Sequence, residues 1–143
     1  MSFLLDTNVV SEWVKPRPDP GVVDWLAGAD EDRLYLSVIA LAEIGRGAAM
    51  LPPGRRRDQL MAWLDEELPA RFDGRILAID VRVARAWGAL MTRAQSRGFA
   101  LGAMDGFFAA TALVLGLTLV TRNLKDFDGL GIQLLDPWET PSG

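Results

Sequence analysis

Phe3-Leu4-Leu5-Asp6-Thr7-Asn8-Val9-Val10 decides how this chain is read: an apolar run, a polar break, then apolar residues again. A short apolar run ending on capping-type residues predicts a buried strand handing over to a helix, here Val9–Val14 with Thr7 or Asn8 as its cap. The same unit recurs along the chain. Arg33-Leu34-Tyr35-Leu36 leads into Ser37, the predicted N-cap of a helix to about Met50, and Arg75-Ile76-Leu77-Ala78-Ile79 leads into Asp80 and a helix to about Arg97. Leu117–Val120 and Ile132–Leu135 supply a fourth and a fifth strand. Further helices are predicted over Val22–Gly28, over Arg55–Leu68 after Pro52-Pro53-Gly54, and from about Ala103 to Gly116. Short apolar strands alternating with helices predict an α/β fold: one domain over 1–143, a central, mainly parallel sheet of about five strands, helices on its flanks.

Composition then removes whole classes of chemistry. The 143 residues carry 15 Lys+Arg and 19 Asp+Glu, a net charge of −4, and neither Cys nor His. Disulfides, thiol nucleophiles, zinc fingers, catalytic triads and His-based nucleases are therefore excluded. Any reaction must run on carboxylates, hydroxyls, Lys/Arg and a bound cation. The acidic balance also argues against coating nucleic acid by charge alone. Residues 106–121 carry only Asp-free, uncharged side chains, but the run is shorter than the ~20 apolar residues of a membrane span and is broken by Gly116. It reads as a buried helix followed by a buried strand. Asp6 interrupts the first apolar run, with no basic segment before it, so no signal peptide is expected. The expectation is a soluble, cytoplasmic protein with no membrane partner.

The informative residues are acids in apolar company. Asp6 follows the first strand, where an open α/β sheet binds its ligands, although a helix N-cap also explains an Asp there. Glu43, in Ile39-Ala40-Leu41-Ala42-Glu43-Ile44, borders the apolar face of its helix instead of opposing it. Asp105 is the one charge between Arg97 and Arg122; it is either an N-cap or a functional acid, and Gly106 beside it permits close approach by a ligand or another backbone. Asn123-Leu124-Lys125-Asp126 follows the fourth strand, and its Asn and Asp read either as turn formers or as further site residues. In a parallel sheet these positions share one edge. Two bare carboxylates ~4 Å apart repel by about 4 kcal/mol at an effective dielectric near 20, so such a group must hold a proton or a cation. With oxygen ligands only, the cation is Mg²⁺ or Mn²⁺.

At these residues the chain resembles the PIN-domain ribonucleases, in particular the VapC toxins of bacterial toxin–antitoxin pairs and their FitB-like branch. The matching pieces are Leu4-Leu5-Asp6-Thr7-Asn8-Val9-Val10-Ser11-Glu12, Ser37-Val38-Ile39-Ala40-Leu41-Ala42-Glu43-Ile44 and Asp105-Gly106-Phe107-Phe108-Ala109-Ala110-Thr111-Ala112. Leu119-Val120-Thr121-Arg122-Asn123-Leu124-Lys125-Asp126-Phe127 and a closing Pro137-Trp138 complete the series, in order over nearly the whole chain. The resemblance implies a metal-dependent endoribonuclease acting on RNA, inhibited by a VapB-like antitoxin, and forming a homodimer or a higher hetero-oligomer with that antitoxin. It assigns Asp6, Glu43 and Asp105 to catalysis and metal binding, with Asp126 as the fourth acid and Asn123 as a polar or water-mediated contact. Thr7, Asn8 and Thr121 become supporting donors.

The resemblance further implies that a metal-activated water attacks the phosphodiester and leaves a 5′-phosphate and a 3′-hydroxyl, without the base that a 2′-hydroxyl route needs. Arg46, one turn beyond Glu43, and Arg122 are the expected substrate contacts. Arg55-Arg56-Arg57 and Lys125 are further candidates, while Arg82, Arg85, Arg93 and Arg97 read as a solvated face. The five Trp are expected in the core or at an interface, not against RNA. A phosphatase of the haloacid-dehalogenase type needs a second Asp where Asn8 stands, and no Gly-x-Gly-x-x-Gly follows the first strand. The alternative function is a catalytically silent PIN-fold module that binds nucleic acid or protein.

Overall fold

In the computed structural model, which describes residues 1–138, five short strands lie parallel in one sheet in the order β3-β2-β1-β4-β5. Positions 139–143 of the expected domain lie outside the described residues. The strands are β1 (Phe3–Leu5), β2 (Leu34–Ser37), β3 (Ile76–Leu77), β4 (Thr118–Val120) and β5 (Leu134–Leu135). Around them run α1 (Thr7–Val10), α2 (Pro20–Gly28), α3 (Val38–Ala49), α4 (Arg55–Ala62), α5 (Leu68–Arg71), α6 (Val81–Ser96), α7 (Ala103–Leu115) and α8 (Leu124–Phe127).

Strand alternation explains the layers. Leu4 and Leu119 are buried on one face with Ile39, Leu90, Phe108 and Phe127, from α3, α6, α7 and α8. Their neighbours Leu5 and Val120 are buried on the other face with Val9, Val22, Leu26, Leu68 and Phe72. Both faces of the sheet are covered, as apolar strands without alternation require. The uncharged run becomes α7, a stop at Gly116 in the left-handed conformation (φ 65°), and β4. No helix among the described residues is long and apolar enough to cross a membrane.

Side-chain caps open four of the eight described α-helices. Ser37 Oγ accepts the Ile39 N–H at 3.0 Å and Asp80 Oδ1 the Val83 N–H at 2.9 Å, opening α3 and α6 where expected. Four expectations need correction. Asp6, not Thr7 or Asn8, caps α1, and the first helix tightens into a 3₁₀ turn over Ser11–Val14. The helix expected over Arg55–Leu68 reaches Arg71 through a π turn at Trp63–Glu67. Pro69 just beyond it has no N–H to donate and crowds the preceding turn. The strand expected over Arg75–Ile79 narrows to Ile76–Leu77. The segment after β4, read as a turn, forms one helical turn, α8, anchored by buried Phe127.

Candidate metal centre and nucleic-acid site

The sheet order reverses between β1 and β4, because β2 and β3 lie to one side of β1 and β4 and β5 to the other. Beyond the carboxyl ends of those two strands the connections diverge and leave a crevice, the usual ligand position in open α/β sheets. Asp6 and Thr121 are the first residues past β1 and β4, so chain direction alone delivers both to it. The Asp6 N–H donates to the Val120 carbonyl at 2.9 Å, extending the pairing to the rim of the sheet.

The Asp6 side chain is buried and fully engaged. Its Oδ1 accepts the Thr7 N–H at 2.7 Å, and its Oδ2 accepts the Thr121 hydroxyl at 2.7 Å and Asn8 Nδ2 at 3.4 Å. Thr121 Oγ1 in turn accepts the Asn123 N–H at 3.1 Å, so Thr121 couples the α8 connection to Asp6. On the other side, Thr7 Oγ1 donates to Glu43 Oε1 at 2.6 Å, tying the start of α1 to the second turn of α3. The two threonines therefore hold two carboxylates from opposite sides of the crevice.

Asp105 behaves differently. It is the third residue of α7; the N-cap position belongs to Gly102, which offers no side chain, so Asp105 is not consumed by capping. Among the described residues no hydrogen bond or ion pair engages its carboxylate. Asp126, in α8, is exposed.

Electrostatics joins the four acids. Burial pushes the Asp6 carboxyl up to about 6. The bonds from Thr121 and the Thr7 N–H pull the other way, and the Asp105 and Glu43 charges push it up further. The Asp105 carboxyl is also raised, first by burial, then by Asp126 and by Glu43. Asp6, Glu43, Asp105 and Asp126 thus share one field. They do not close into a ready ligand shell: among the described residues no three acidic side chains lie in metal-ligating proximity. The donor chemistry still suits a hard divalent cation, being all oxygen, in excess of negative charge, with Asn8 Oδ1 buried beside Asp6 and without a hydrogen-bond partner.

Arg46 is exposed on α3, one turn past Glu43. Arg122 is exposed with its guanidinium 5.3 Å from the centre of the Trp138 ring. Arg56 is drawn away to the Val14 carbonyl, and Arg82, Arg85, Arg93 and Arg97 lie on the outer face of α6. The tryptophans pack mainly within the protein: Trp13 against Phe72, Trp25 edge-on to Phe3, Trp87 stacked on Phe107 at 5.0 Å. Two positioning features were not read from the sequence. Trp87 Nε1 donates to the Ala103 carbonyl at 3.0 Å, and a Cβ on Gly106 would meet Met91 Sδ at 2.5 Å and Trp87 Nε1 at 2.9 Å. The close approach permitted by Gly106 is taken by side chains of α6, which lock the turn that carries Asp105.

Residues 3–131 match the PIN domain family. The chain is 38% identical to the VapC ribonuclease Y4jK of Sinorhizobium fredii over 96% of its length and 98% of the relative's. It is 37% identical to toxin FitB of Neisseria gonorrhoeae over 95% of its length and 98% of that protein's. Its fold overlays the crystal structure of FitAcB from Neisseria gonorrhoeae with a TM-score of 0.90 at 36% identity, covering 96% of this chain and 99% of that one. A parallel five-stranded sheet and near-full-length kinship lead to one conclusion: the chain belongs to the PIN-domain family, in its VapC- and FitB-like branch.

Proposed function

We propose that this protein is the toxin of a toxin–antitoxin pair, a metal-dependent endoribonuclease that hydrolyses RNA and is silenced by a VapB-like antitoxin. The observation that carries this reading is the common field of Asp6, Glu43, Asp105 and Asp126 at the sheet's switch point, in a chain without an imidazole or a thiol. The kinship with a VapC ribonuclease and with toxin FitB supports the reaction class and the toxin role. Its place of action is the cytoplasm, and its working form a homodimer or a larger assembly with the antitoxin.

Asp6, Glu43, Asp105 and Asp126 would hold Mg²⁺ or Mn²⁺, which when bound lowers the pKa of water and offsets charge on the scissile phosphate. The chain's own residues do the remainder. Thr121 and Thr7 fix the orientation of Asp6 and Glu43 through short hydrogen bonds, so little reordering accompanies cation binding. Asp6 gives up its proton more reluctantly than an ordinary carboxylate, so below about pH 6 cation binding has to displace that proton. Asp105 is engaged by no donor among the described residues, which leaves its carboxylate open toward the cation. Asn8 supports Asp6 from beside it, Asn123 is a polar or water-mediated contact, and Arg46 and Arg122 are cations for the RNA backbone.

Incubating the purified chain with structured RNA and Mn²⁺ tests this. Cleavage leaving 5′-phosphate and 3′-hydroxyl ends is expected, with loss of about a hundredfold or more in Asp105→Asn while the circular dichroism spectrum is unchanged. Cyclic-phosphate ends, or full activity in Asp105→Asn, would refute the scheme. Binding of RNA without cleavage under any divalent cation would favour a silent binding module.

A further inference from the structure

Beyond Asp126 lies a cavity of about 400 Å³ lined by Arg122, Asn123, Leu124, Lys125, Asp126 and Asp136. Asp126 is the wall it shares with the acid group, since the Asp126 charge also reaches Asp105. Arg122 and Lys125 are exposed, and among the described residues neither enters an ion pair. Trp138 holds the Arg122 guanidinium by stacking, which limits the freedom of a long side chain while leaving its donors open. Lys125 sits next to Asp126 on the single turn of α8, anchored by buried Phe127, so its position is tied to that of the acid.

Resting on the nuclease reading, we propose that this cavity is the subsite for the nucleotide adjacent to the scissile phosphate, with Arg122 and Lys125 binding that nucleotide's phosphate. The volume falls in the lower part of the roughly 300–1,000 Å³ range of small-ligand sites, room for one nucleotide and not for a folded element. Charge supplies the need. A chain of net charge −4 has no general attraction for RNA, and the four acids repel every phosphate except the one a cation neutralises. The neighbouring phosphate must then find fixed cations at the border of the acid group, where Arg122 and Lys125 offset the carboxylates of Asp126 and Asp136 in the same cavity. Arg122 presents a planar fork suited to two phosphate oxygens, and Lys125 a second point charge.

The test uses the full chain with Arg122→Ala, Lys125→Ala and the double variant, and Arg33→Ala, at the far edge of the sheet, as control. Anisotropy of a fluorescein-labelled short single-stranded RNA, read in EDTA across a KCl series, should show the salt slope falling by about 0.7 for each of the two cations removed. In Mn²⁺ the double variant should raise KM for the same RNA about tenfold or more, with kcat changed by less than about threefold. Slopes and KM equal to the control overturn the subsite. Loss of antitoxin binding with RNA affinity intact overturns it too, by assigning the cavity to the protein partner. A wild-type chain that cuts no RNA defeats the nuclease reading; the anisotropy slopes still decide the subsite independently.

Discussion

Thr121 and Asp6 lie 115 positions apart and meet through one hydroxyl, a bond that counters part of the rise burial imposes on the acid. A hydrogen bond to a charged group contributes about 1.5–3 kcal/mol, so Thr121→Val should move the acid limb of the activity–pH profile upward by about one unit or more. The sign follows from the bond stabilising the ionised form: without it Asp6 stays protonated to higher pH and releases its proton later. Thr121→Ser should restore the profile, and a Val variant with an unmoved limb would show that the bond does not govern the site. Asp6, Glu43 and Asp105 were legible because a charge in apolar surroundings stands out in a sequence. The hydroxyls that hold Asp6 and Glu43 were named only through family likeness, because no local pattern connects residue 121 to residue 6. Asp6 as the cap of α1 shows the two readings of that residue to be compatible: one oxygen caps, the other faces Thr121.

The helix starts and stops that rest on local chemistry could be read directly: Ser37, Asp80 and Gly116 each act on residues within one turn. The π turn before Pro69 and the helical turn around Phe127 depend on crowding and on burial against distant residues, and the sequence pattern does not carry them. The contact between α6 and α7 belongs to the same class, and it has a functional consequence. Gly106→Ala would drive a methyl group into Met91 and Trp87, parting the helices beside Asp105. Overpacking of this kind costs about 1–3 kcal/mol. Thermal unfolding should register that loss, and cleavage should fall by more than the unfolded fraction explains, as a lower kcat in protein that remains folded. Normal kcat in the folded fraction would mean that α7 carries Asp105 into place without help from Trp87.

For the molecule as a whole, the acid group is a destabilising feature. The two resolved pKa shifts, at Asp6 and Asp105, are both upward, so the native state holds protons that the unfolded chain has already released. Stability of the cation-free protein must therefore fall as pH rises from the ordinary carboxylate value, 3.8, to about 6. Above that window the cost of an ionised, buried Asp6 persists in full, about 3 kcal/mol. In EDTA the unfolding midpoint should be higher at pH 5 than at pH 7.5, and Asp6→Asn, which retains an acceptor for the Thr7 N–H, should abolish most of the difference. A cation that binds only the native state acts against the same cost. Adding Mn²⁺ at pH 7.5 should raise the midpoint of the wild type well beyond that of Asp6→Asn, and should do little at pH 5, where protons compete for the carboxylates. A midpoint in EDTA that climbs steadily from pH 5 to 7.5 would mean that Asp6 ionises without penalty. The acids would then be ordinary solvated groups, with no demand for a cation between them.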